Sequence, residues 1–502
     1  MPSQTVSVPA PIGGVNARDS FAAMPPTDAI VMDNYFPTPS YVSLRNGIQS
    51  WATGLTGAVN TVMAYNGIST RKLFAASVTS IFDVSALGAV GAAVVTGIGT
   101  DKLQHAMFSS GTGVNVLIWC NGSVTPQFYN GTAWANTTIA GSGLTAANLI
   151  TVTVHQNRCW YIEKNTMNVW YAAPGAFQGT CIQLPLAAYF KMGGYLVNMA
   201  SWSIQNVSGI NDYAAFISSE GEVAVYQGYD PSAIATWSLV GIFRIGRPIG
   251  VRCYARLASD IVVITADGVT SLNNAILTDR TDQSKELTYK ILNAINNDVQ
   301  LYNAQYGWQL IDYPLGNKLI LNVPEVSATT SHQWVQNQVS KAWCRFTNWN
   351  AFCWELQQDA LYFGGNTKVY LADVNNTDDG VAITTDCKPA FSYFDNPGAI
   401  KRWVMCRPIF QANAQIQPRI TLNLDYQDVV PSPYTFVNAS GALWNVSPWN
   451  TTPWGGTTVV VKNWIGLAGL GYVASGRIGT QTTGVSYSWF STDYMYEVGG
   501  PL

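Results

Sequence analysis

Short apolar runs, each followed by a turn and a return run, recur along most of the chain. The clearest pair lies between Asp212 and Asn273. Residues 212–217 and 222–226 predict two strands joined by a tight turn, because the return run puts Val223 and Val225 on one face and the residues between the runs favour turns. A second copy follows, with strands at 260–264 and from Val269 and a glycine-containing turn between them.

The same hairpin pattern is found about seven times, with turn centres roughly every 40–60 residues, which is the period at which β-propeller blades repeat. This pattern predicts an all-β fold with a β-propeller of about six to eight blades over residues 55–382. A long loop after Val323 leaves the sixth repeat, and so the blade number, open. The predicted hairpins occupy residues 72–83, 116–129, 158–171, 212–226, 260–269, 318–323 and 361–371.

The two ends of the chain and one internal segment depart from this pattern. Residues 1–54 are rich in proline and glycine and predict an extended N-terminal arm that contains neither a long helix nor a central strand. Residues 383–502 lose the repeat, and we expect a separate C-terminal β-sandwich there. Apolar residues at helical spacing predict one inserted amphipathic helix over 282–297, docked on the propeller.

Composition narrows the functional classes. Charged residues make up only 11% of the chain and aromatic residues 12%, which favours large surfaces that contact other protein. The formal net charge of -3 gives no overall basic surface for gripping phosphates, so nucleic acid could pass the protein without being held. The N-terminus shows no signal-peptide pattern and we expect no membrane span. The eight scattered cysteines are expected to be buried thiols made in a reducing compartment.

Residues that could carry chemistry are sparse. His105, His155 and His332 stand in no catalytic motif, and each is expected to be a structural residue. An acidic loop at 373–380 could bind a hard cation, but it lacks the spacing of a calcium loop and a turn is the simpler interpretation. We therefore expect no enzyme activity and identify no catalytic, cofactor-binding or metal-binding residues.

One local concentration of basic residues remains. If these side chains faced a central channel they could touch a DNA backbone; otherwise they pair with acidic groups across blades or subunits. Both interpretations stay open from the sequence. The residues are Arg244, Arg247, Arg252 and Arg256.

Two stretches carry a resemblance to a known family. Residues 11–20, 24–34, 36–38 and 44–47 resemble the N-terminal signature of the tail nozzle, or tail hub and tail tubular, proteins of short-tailed bacteriophages. The segments 221–231, 237–241 and 244–250 look like the same family. The signature residues that the resemblance places at an assembly interface are Arg18, Asp19, Asp33, Asn34 and Arg45.

This resemblance implies a structural virion protein with a propeller and a sandwich platform. Several copies, usually six, would form a tube below the portal and adaptor rings, extend the DNA channel, retain the genome and release it on infection. The implied partners are further copies of the chain, the adaptor, tail fibres or tailspikes, and passing double-stranded DNA without sequence-specific binding. Its location would be the virion tail, after synthesis in the bacterial cytoplasm, and no cofactor is implied.

An alternative from another class is a propeller adhesin or glycan-processing enzyme. The tryptophan-rich C-terminal loops, with Trp444, Trp449, Trp454 and Trp464, could stack on cell-surface sugars. An acidic pair facing the propeller funnel would favour this alternative.

Overall fold

The computed structural model describes residues 3–206, 209–233, 235–278, 284, 286–325, 329–431 and 459–499. The chain begins with short strands and then enters one long strand of 20 residues. Prolines flank most of the short strands, which is where proline is tolerated because it cannot donate to a sheet. These strands are β1 (Ser3–Pro9), β2 (Gly14–Val15), β3 (Asp28–Asp33), β4 (Tyr35–Pro37), β5 (Val42–Leu44) and β6 (Gly47–Asn66).

Seven groups of strands then follow one another and form the blades of a β-propeller. Four of them are separate antiparallel sheets, whereas the first, sixth and seventh belong to larger sheets. The first blade comprises β7 (Arg71–Ser77), β8 (Ser80–Asp83) and β10 (Val95–Thr96), whereas the short β9 (Gly88–Ala89) pairs with Ala52 and Thr53 of β6. The second blade comprises β11 (Gln104–Ser109), β12 (Asn115–Cys120), β13 (Gln127–Tyr129) and β14 (Trp134–Asn136). The third comprises β15 (Leu149–His155), β16 (Arg158–Glu163), β17 (Asn168–Tyr171) and β18 (Ile182–Pro185).

The other four blades complete the ring. The fourth has β19 (Leu196–Asn206), β20 (Gly209–Ser218), β21 (Glu222–Gly228) and β22 (Trp237–Arg244), and the fifth has β23 (Tyr254–Leu257), β24 (Asp260–Thr265) and β25 (Gly268–Ser271). The sixth has β26 (Gln309–Tyr313), β27 (Lys318–Pro324), β28 (Ser331–Asn337) and β29 (Trp343–Phe346), and the seventh has β30 (Cys353–Gln357), β31 (Ala360–Gly364) and β32 (Asn366–Val374).

Strand β6 closes the ring. Its first part, from Gly47 to Ala58, pairs with β32 and supplies the outer strand of the seventh blade. Its second part, from Val59 to Asn66, pairs with β7 and is the inner strand of the first blade. The inner strand of each blade contacts the inner or neighbouring strand of the next blade around the circle. One continuous strand thus joins the first blade to the last.

Each hairpin predicted from the sequence lies inside one blade, so the predicted all-β propeller is confirmed. The strands β8, β13 and β17 have the predicted bounds. Apolar residues from both faces of a blade pack against its two neighbours. Trp160 and Tyr226, for example, belong to the core between the third and fourth blades, and Val223 and Val263 belong to the next core. Alternation within each strand therefore fills two interfaces at once.

Two packed sheets next to the sixth blade form a sandwich. The first is built around β39, which pairs with β34 on one side and with β1 and β5 on the other. The second contains β3, β33, β38 and β35 in that order. The C-terminal strands are β33 (Ile383–Pro389), β34 (Lys401–Ala412), β35 (Arg419–Leu424), β36 (Val459–Val461), β37 (Ile465–Gly471), β38 (Ala474–Thr482) and β39 (Tyr487–Val498).

This sandwich is not separate from the propeller, which corrects the expectation from the sequence. A nine-stranded sheet runs without a break from β26 through β29, β2 and β3 to β33, β38 and β35. The arm was expected to contain no central strand, yet β3 lies between β2 and β33 in the middle of this sheet. The prolines that suggested otherwise, Pro25 and Pro26, precede β3 and leave its amide groups free to pair.

The inserted helix is also displaced from its predicted position. A single 3₁₀ turn, Tyr289–Ile291, leads into α2, which spans Leu292–Tyr302 rather than 282–297; a shorter helix, α1 (Leu272–Thr278), follows β25 directly. Thr288 is fully buried, and its hydroxyl accepts a hydrogen bond from the Val269 amide of the fifth blade. This contact holds the segment before α2 against the fifth blade, so the helix begins later than predicted. Residues 279–283 and 285 lie outside the described part of the chain.

Two further observations concern the described residues. All eight cysteines are buried and none forms a disulfide, which confirms their expected burial. None of the helices described here is long and apolar enough to cross a membrane.

Candidate functional site

The inner strands of the propeller line an open cavity of about 420 Å³ on the propeller axis. Six of the seven blades contribute to its wall, mostly through residues at or near the beginning of their inner strands. Apolar side chains form about half of the wall, and the rest presents amides, hydroxyls and two guanidinium groups. Its polar residues include Gln104, Thr151, Asn198, Arg252, Arg256 and Gln309.

Arg252 ties four blades together at this cavity. It lies just before β23 of the fifth blade, and its Nη2 donates to Thr61 Oγ1 (2.8 Å) and to the carbonyl oxygens of Leu103 (2.9 Å) and Asn60 (3.2 Å). These acceptors belong to the first and second blades. Its Nη1 reaches Gln309 Oε1 of the sixth blade at 3.4 Å. The guanidinium therefore acts as an internal bridge between blades.

Of the other predicted basic residues, one lies at the axial cavity and two lie at the outer surface. Arg256 lies four residues further along and lines the cavity. Arg244 ends the outer strand β22 and is exposed, and Arg247 pairs with Glu220 at the surface with its own side chain 70% exposed. The structure thus divides the cluster into an inner pair and an outer pair, because the chain passes from the rim of the fourth blade to the axis between them.

Side-chain amides and hydroxyls also connect neighbouring blades around the axis. Thr153 donates to the Met199 carbonyl (3.0 Å), and Asn198 donates to the Val251 carbonyl (2.7 Å). Gln309 both donates to the carbonyl and accepts from the amide of Trp354. Sequence analysis did not identify these residues, since each is an ordinary polar residue within a strand pattern. No local pattern distinguishes them from solvated polar residues of a strand.

Two of the predicted interface residues are buried inside the chain. The Arg45 side chain is fully buried and forms a bidentate pair with Asp378, at 2.8 and 2.6 Å. Its Nε donates to Asn34 Oδ1 (2.7 Å), and Asn34 in turn donates to Thr347 Oγ1 and the Thr384 carbonyl. Asn34 and Arg45 therefore do not offer surface to another subunit, which corrects their expected role. Instead they join the arm to the propeller and the sandwich.

The remaining three residues of that prediction are nearer the surface. Arg18 and Asp19 form a bidentate pair, and Arg18 also stacks over the Tyr289 ring at 4.5 Å. The hydrogen bond from Arg18, followed by one from Asn16, lowers the pKa of Asp19 to about 2. Asp33 accepts two hydrogen bonds from Arg345 of the sixth blade. Each of these residues thus has a partner within the chain.

The acidic loop at 373–380 is neutralised by basic side chains. Asp373 pairs with Lys318, Asp378 with Arg45 and Asp379 with Lys368. Because each carboxylate is directed to a different cation, the three do not converge on one point. Across the described residues, no group of three or more potential metal ligands is found.

The three histidines lie in three different surroundings. His105 on β11 contacts Glu355 on β30 at 3.1 Å, beside the axis. His155 contacts Ser201 at 2.7 Å, and burial lowers its pKa to about 4. His332 lies between two carboxylates, with Asp298 of α2 on one ring nitrogen and Glu325 on the other, both at 3.1 Å. No two of these rings share a site.

His332 is expected to make stability depend on pH. Burial alone lowers its pKa, but the hydrogen bonds to Asp298 and Glu325 outweigh burial and raise the pKa above 6.5. A raised folded-state pKa means that the stabilisation is fully present below pH 6.5 and is lost as pH rises through the raised value. Urea unfolding of the wild type and His332→Gln across this range should show their stability difference shrinking with rising pH. A constant difference would contradict the coupling.

An acidic pair at the axial cavity would favour a glycan-processing enzyme. Among the described residues that line the axial cavity there is no carboxylate pair, and the neighbouring Glu355 is already paired with His105. Of the tryptophans expected to stack on sugars, Trp444, Trp449 and Trp454 lie outside the described residues. Trp464 stacks under the Arg407 guanidinium at 4.8 Å.

Comparisons with known proteins give structural likenesses only. No family model matches the chain, and no curated protein matches it. Among solved structures, BBS1N in complex with ARL6DN is similar with a TM-score of 0.41 at 10% identity, covering 65% of this chain and 98% of that one. Raptor from Chaetomium thermophilum has a TM-score of 0.38 at 10% identity, covering 68% and 29%.

A third solved structure is more distant. The exo-β-1,3-galactanase of Phanerochaete chrysosporium with galactose has a TM-score of 0.24 at 10% identity and covers 78% of this chain and 95% of that chain. All three scores are below 0.5, so the description of the fold rests on the strand pairing of this chain itself.

Proposed function

We propose that this chain is the tail nozzle subunit of a short-tailed bacteriophage. In this role several copies, six by resemblance, form a tube below the portal and adaptor, extend the DNA channel, retain the genome and release it on infection. The residue patterns at 11–47 and 221–250 suggest the family. The structural observation that carries the proposal is the nine-stranded sheet that unites the sixth blade, the arm and the sandwich.

A continuous sheet makes the propeller and the sandwich one rigid body, which suits a structural subunit. Domains joined only by a linker usually move relative to one another. Here backbone hydrogen bonds cross from β29 through β2 and β3 to β33, and the buried Arg45 and Asp378 pair supports the same junction. Such a body resists hinge motion, which fits the wall of a tube that must hold its shape while DNA passes.

The DNA path in this proposal is the lumen between copies, not the axis of one propeller. A cavity of about 420 Å³, crossed by Arg252, has the size of a small-molecule pocket. The formal net charge of -3 and the low charged content leave the chain without strong attraction for phosphates, so the duplex can slide. In this proposal Arg252 bridges blades of one subunit and does not contact the passing DNA.

An exposed sheet edge offers one contact for a neighbouring copy. Strand β1 pairs with β39 on one side, and its other edge has no strand partner among the described residues. Unpaired edges readily accept a strand from another chain. Further partners in the proposal are the adaptor and the tail fibres or tailspikes, in a virion tail assembled after synthesis in the bacterial cytoplasm.

The direct test is electron microscopy of the purified protein, alone and after mixing with the portal and adaptor proteins of the same phage. We expect a tube of regular rotational symmetry in the mixture. Separate particles in a mixture that assembles with an authentic nozzle would overturn the proposal and direct the work to glycan binding.

A truncation tests the edge strand. Removing residues 1–47 would delete β2–β5 and Arg45 along with β1, so it would damage the sandwich and could not isolate assembly. Removing residues 1–9 deletes only the exposed edge strand β1. We expect the shorter truncation to keep its circular dichroism spectrum and fail to enter the tube. Normal incorporation of the folded truncated protein would exclude β1 as the contact.

A further inference from the structure

The axial cavity carries an imbalance of charge. Among the described residues, its wall includes Arg252 and Arg256 but no aspartate or glutamate. Arg252 is occupied with carbonyl and hydroxyl acceptors, whereas the Arg256 side chain has no acidic partner among the described residues and is exposed. We propose that this cavity binds a small anion carrying a carboxylate or phosphate group, with Arg256 as its main ligand. This proposal is independent of assembly into a tail.

The size of the cavity fits such a ligand. Its volume of about 420 Å³ lies within the range of about 300–1,000 Å³ that is typical of small-molecule sites. The guanidinium group presents several donors in one plane and matches carboxylate or phosphate oxygens in a bidentate manner. Arg256 is therefore suited to the chemical group that we propose.

Gln104 supplies an independent observation. Its side chain lines the same cavity, and no hydrogen bond holds its amide to the described part of the chain. Neighbouring blades satisfy most other polar groups at this axis, whereas the Gln104 amide is left open to the cavity. An anion in the cavity would accept a hydrogen bond from this amide.

A histidine holds the acidic group beside the cavity wall. Glu355 lies beside the wall, and its Oε2 is 3.1 Å from Nε2 of His105, which lines the cavity. The interaction holds Glu355 against His105, on the side of the seventh and second blades. Arg256, on the fifth blade, is left to meet a ligand.

Isothermal titration calorimetry with inorganic phosphate and with citrate, at constant ionic strength set by sodium chloride, tests the proposal. We expect saturable binding of at least one of the two to the wild-type chain. Arg256→Gln should weaken that binding at least tenfold. Arg244→Gln removes the same charge from the exposed outer strand β22 and should leave binding unchanged.

A third variant separates specific contact from net charge. Gln104→Leu keeps the charge of the protein and removes the amide, so it should weaken binding if the anion reaches that wall. Binding of citrate alone assigns a carboxylate ligand, and binding of phosphate alone assigns a phosphate ligand; either supports the site. The proposal is overturned if the wild type binds neither probe saturably, or if Arg244→Gln and Arg256→Gln lose binding equally while both keep the wild-type melting temperature.

Discussion

Replacing Arg45 by alanine is expected to lower the free energy of unfolding by about 3–5 kcal/mol, because removing one partner leaves a buried charge uncompensated. Asp378 would lose both of its hydrogen bonds to the guanidinium while remaining only 7% exposed. The carbonyls of Asn46 and Thr347 would also lose their donors, at 2.9 and 2.8 Å. All of these hydrogen bonds lie at the point where the arm, the sixth blade and the seventh blade meet.

The matched control for this substitution is Arg18→Ala. Arg18 is another arginine of the arm in a bidentate pair, but its side chain is 37% exposed, so we expect a change of no more than about 1 kcal/mol. Urea unfolding followed by tryptophan fluorescence measures both. Equal effects of the two substitutions would contradict the assignment of Arg45 as the central residue of the junction.

The second large effect is expected at Arg252. Arg252→Ala removes a donor from two blade carbonyls and a hydroxyl within 3.2 Å, and we expect a loss of about 2–4 kcal/mol from the unsatisfied acceptors it leaves. Arg252→Lys should recover only part of this, since an ammonium group cannot reproduce the planar set of donors. The measurement is again the free energy of unfolding in urea.

Arg247→Ala serves as the control for Arg252. It lies five residues earlier and pairs with Glu220 at the surface, where ion pairs contribute about 0–1 kcal/mol. If Arg252→Ala proved as mild as this control, the bridging of the blades by its guanidinium would be refuted. A loss of stability in Arg252→Ala but not in Arg247→Ala would show that contacts at the axis stabilise the ring of blades.

Strand β28 illustrates where reasoning from the sequence reached its limit. Its residues Ser331–Asn337 include two glutamines, a histidine and an asparagine, so they resemble a loop, yet every residue of the strand is buried. Gln333 donates to Asn322 Oδ1 (2.9 Å) and to the Trp349 carbonyl (2.7 Å). Burial of polar side chains depends on partners from other strands, and local alternation carries no information about them.

The candidate site shows the same limit. The sequence identified Arg252 and Arg256 as part of a basic cluster but could not separate them from Arg244 and Arg247, because neighbours in sequence can lie at the rim and at the axis of a propeller. Gln104 gave no signal at all, since a polar residue at the start of a strand is usually solvated. Its significance depends on the surrounding blades.

The sequence by itself determined the hairpins, their turns and their recurrence, because alternation and turn chemistry act between residues close in the chain. Bounds such as those of β8 and β17 followed directly from that local pattern. Only the tertiary structure decided that β3 lies in the middle of a sheet and that Arg45 meets Asp378, 333 residues away. Such pairings are selected by the burial and hydrogen bonding of whole surfaces, which no single stretch of sequence specifies.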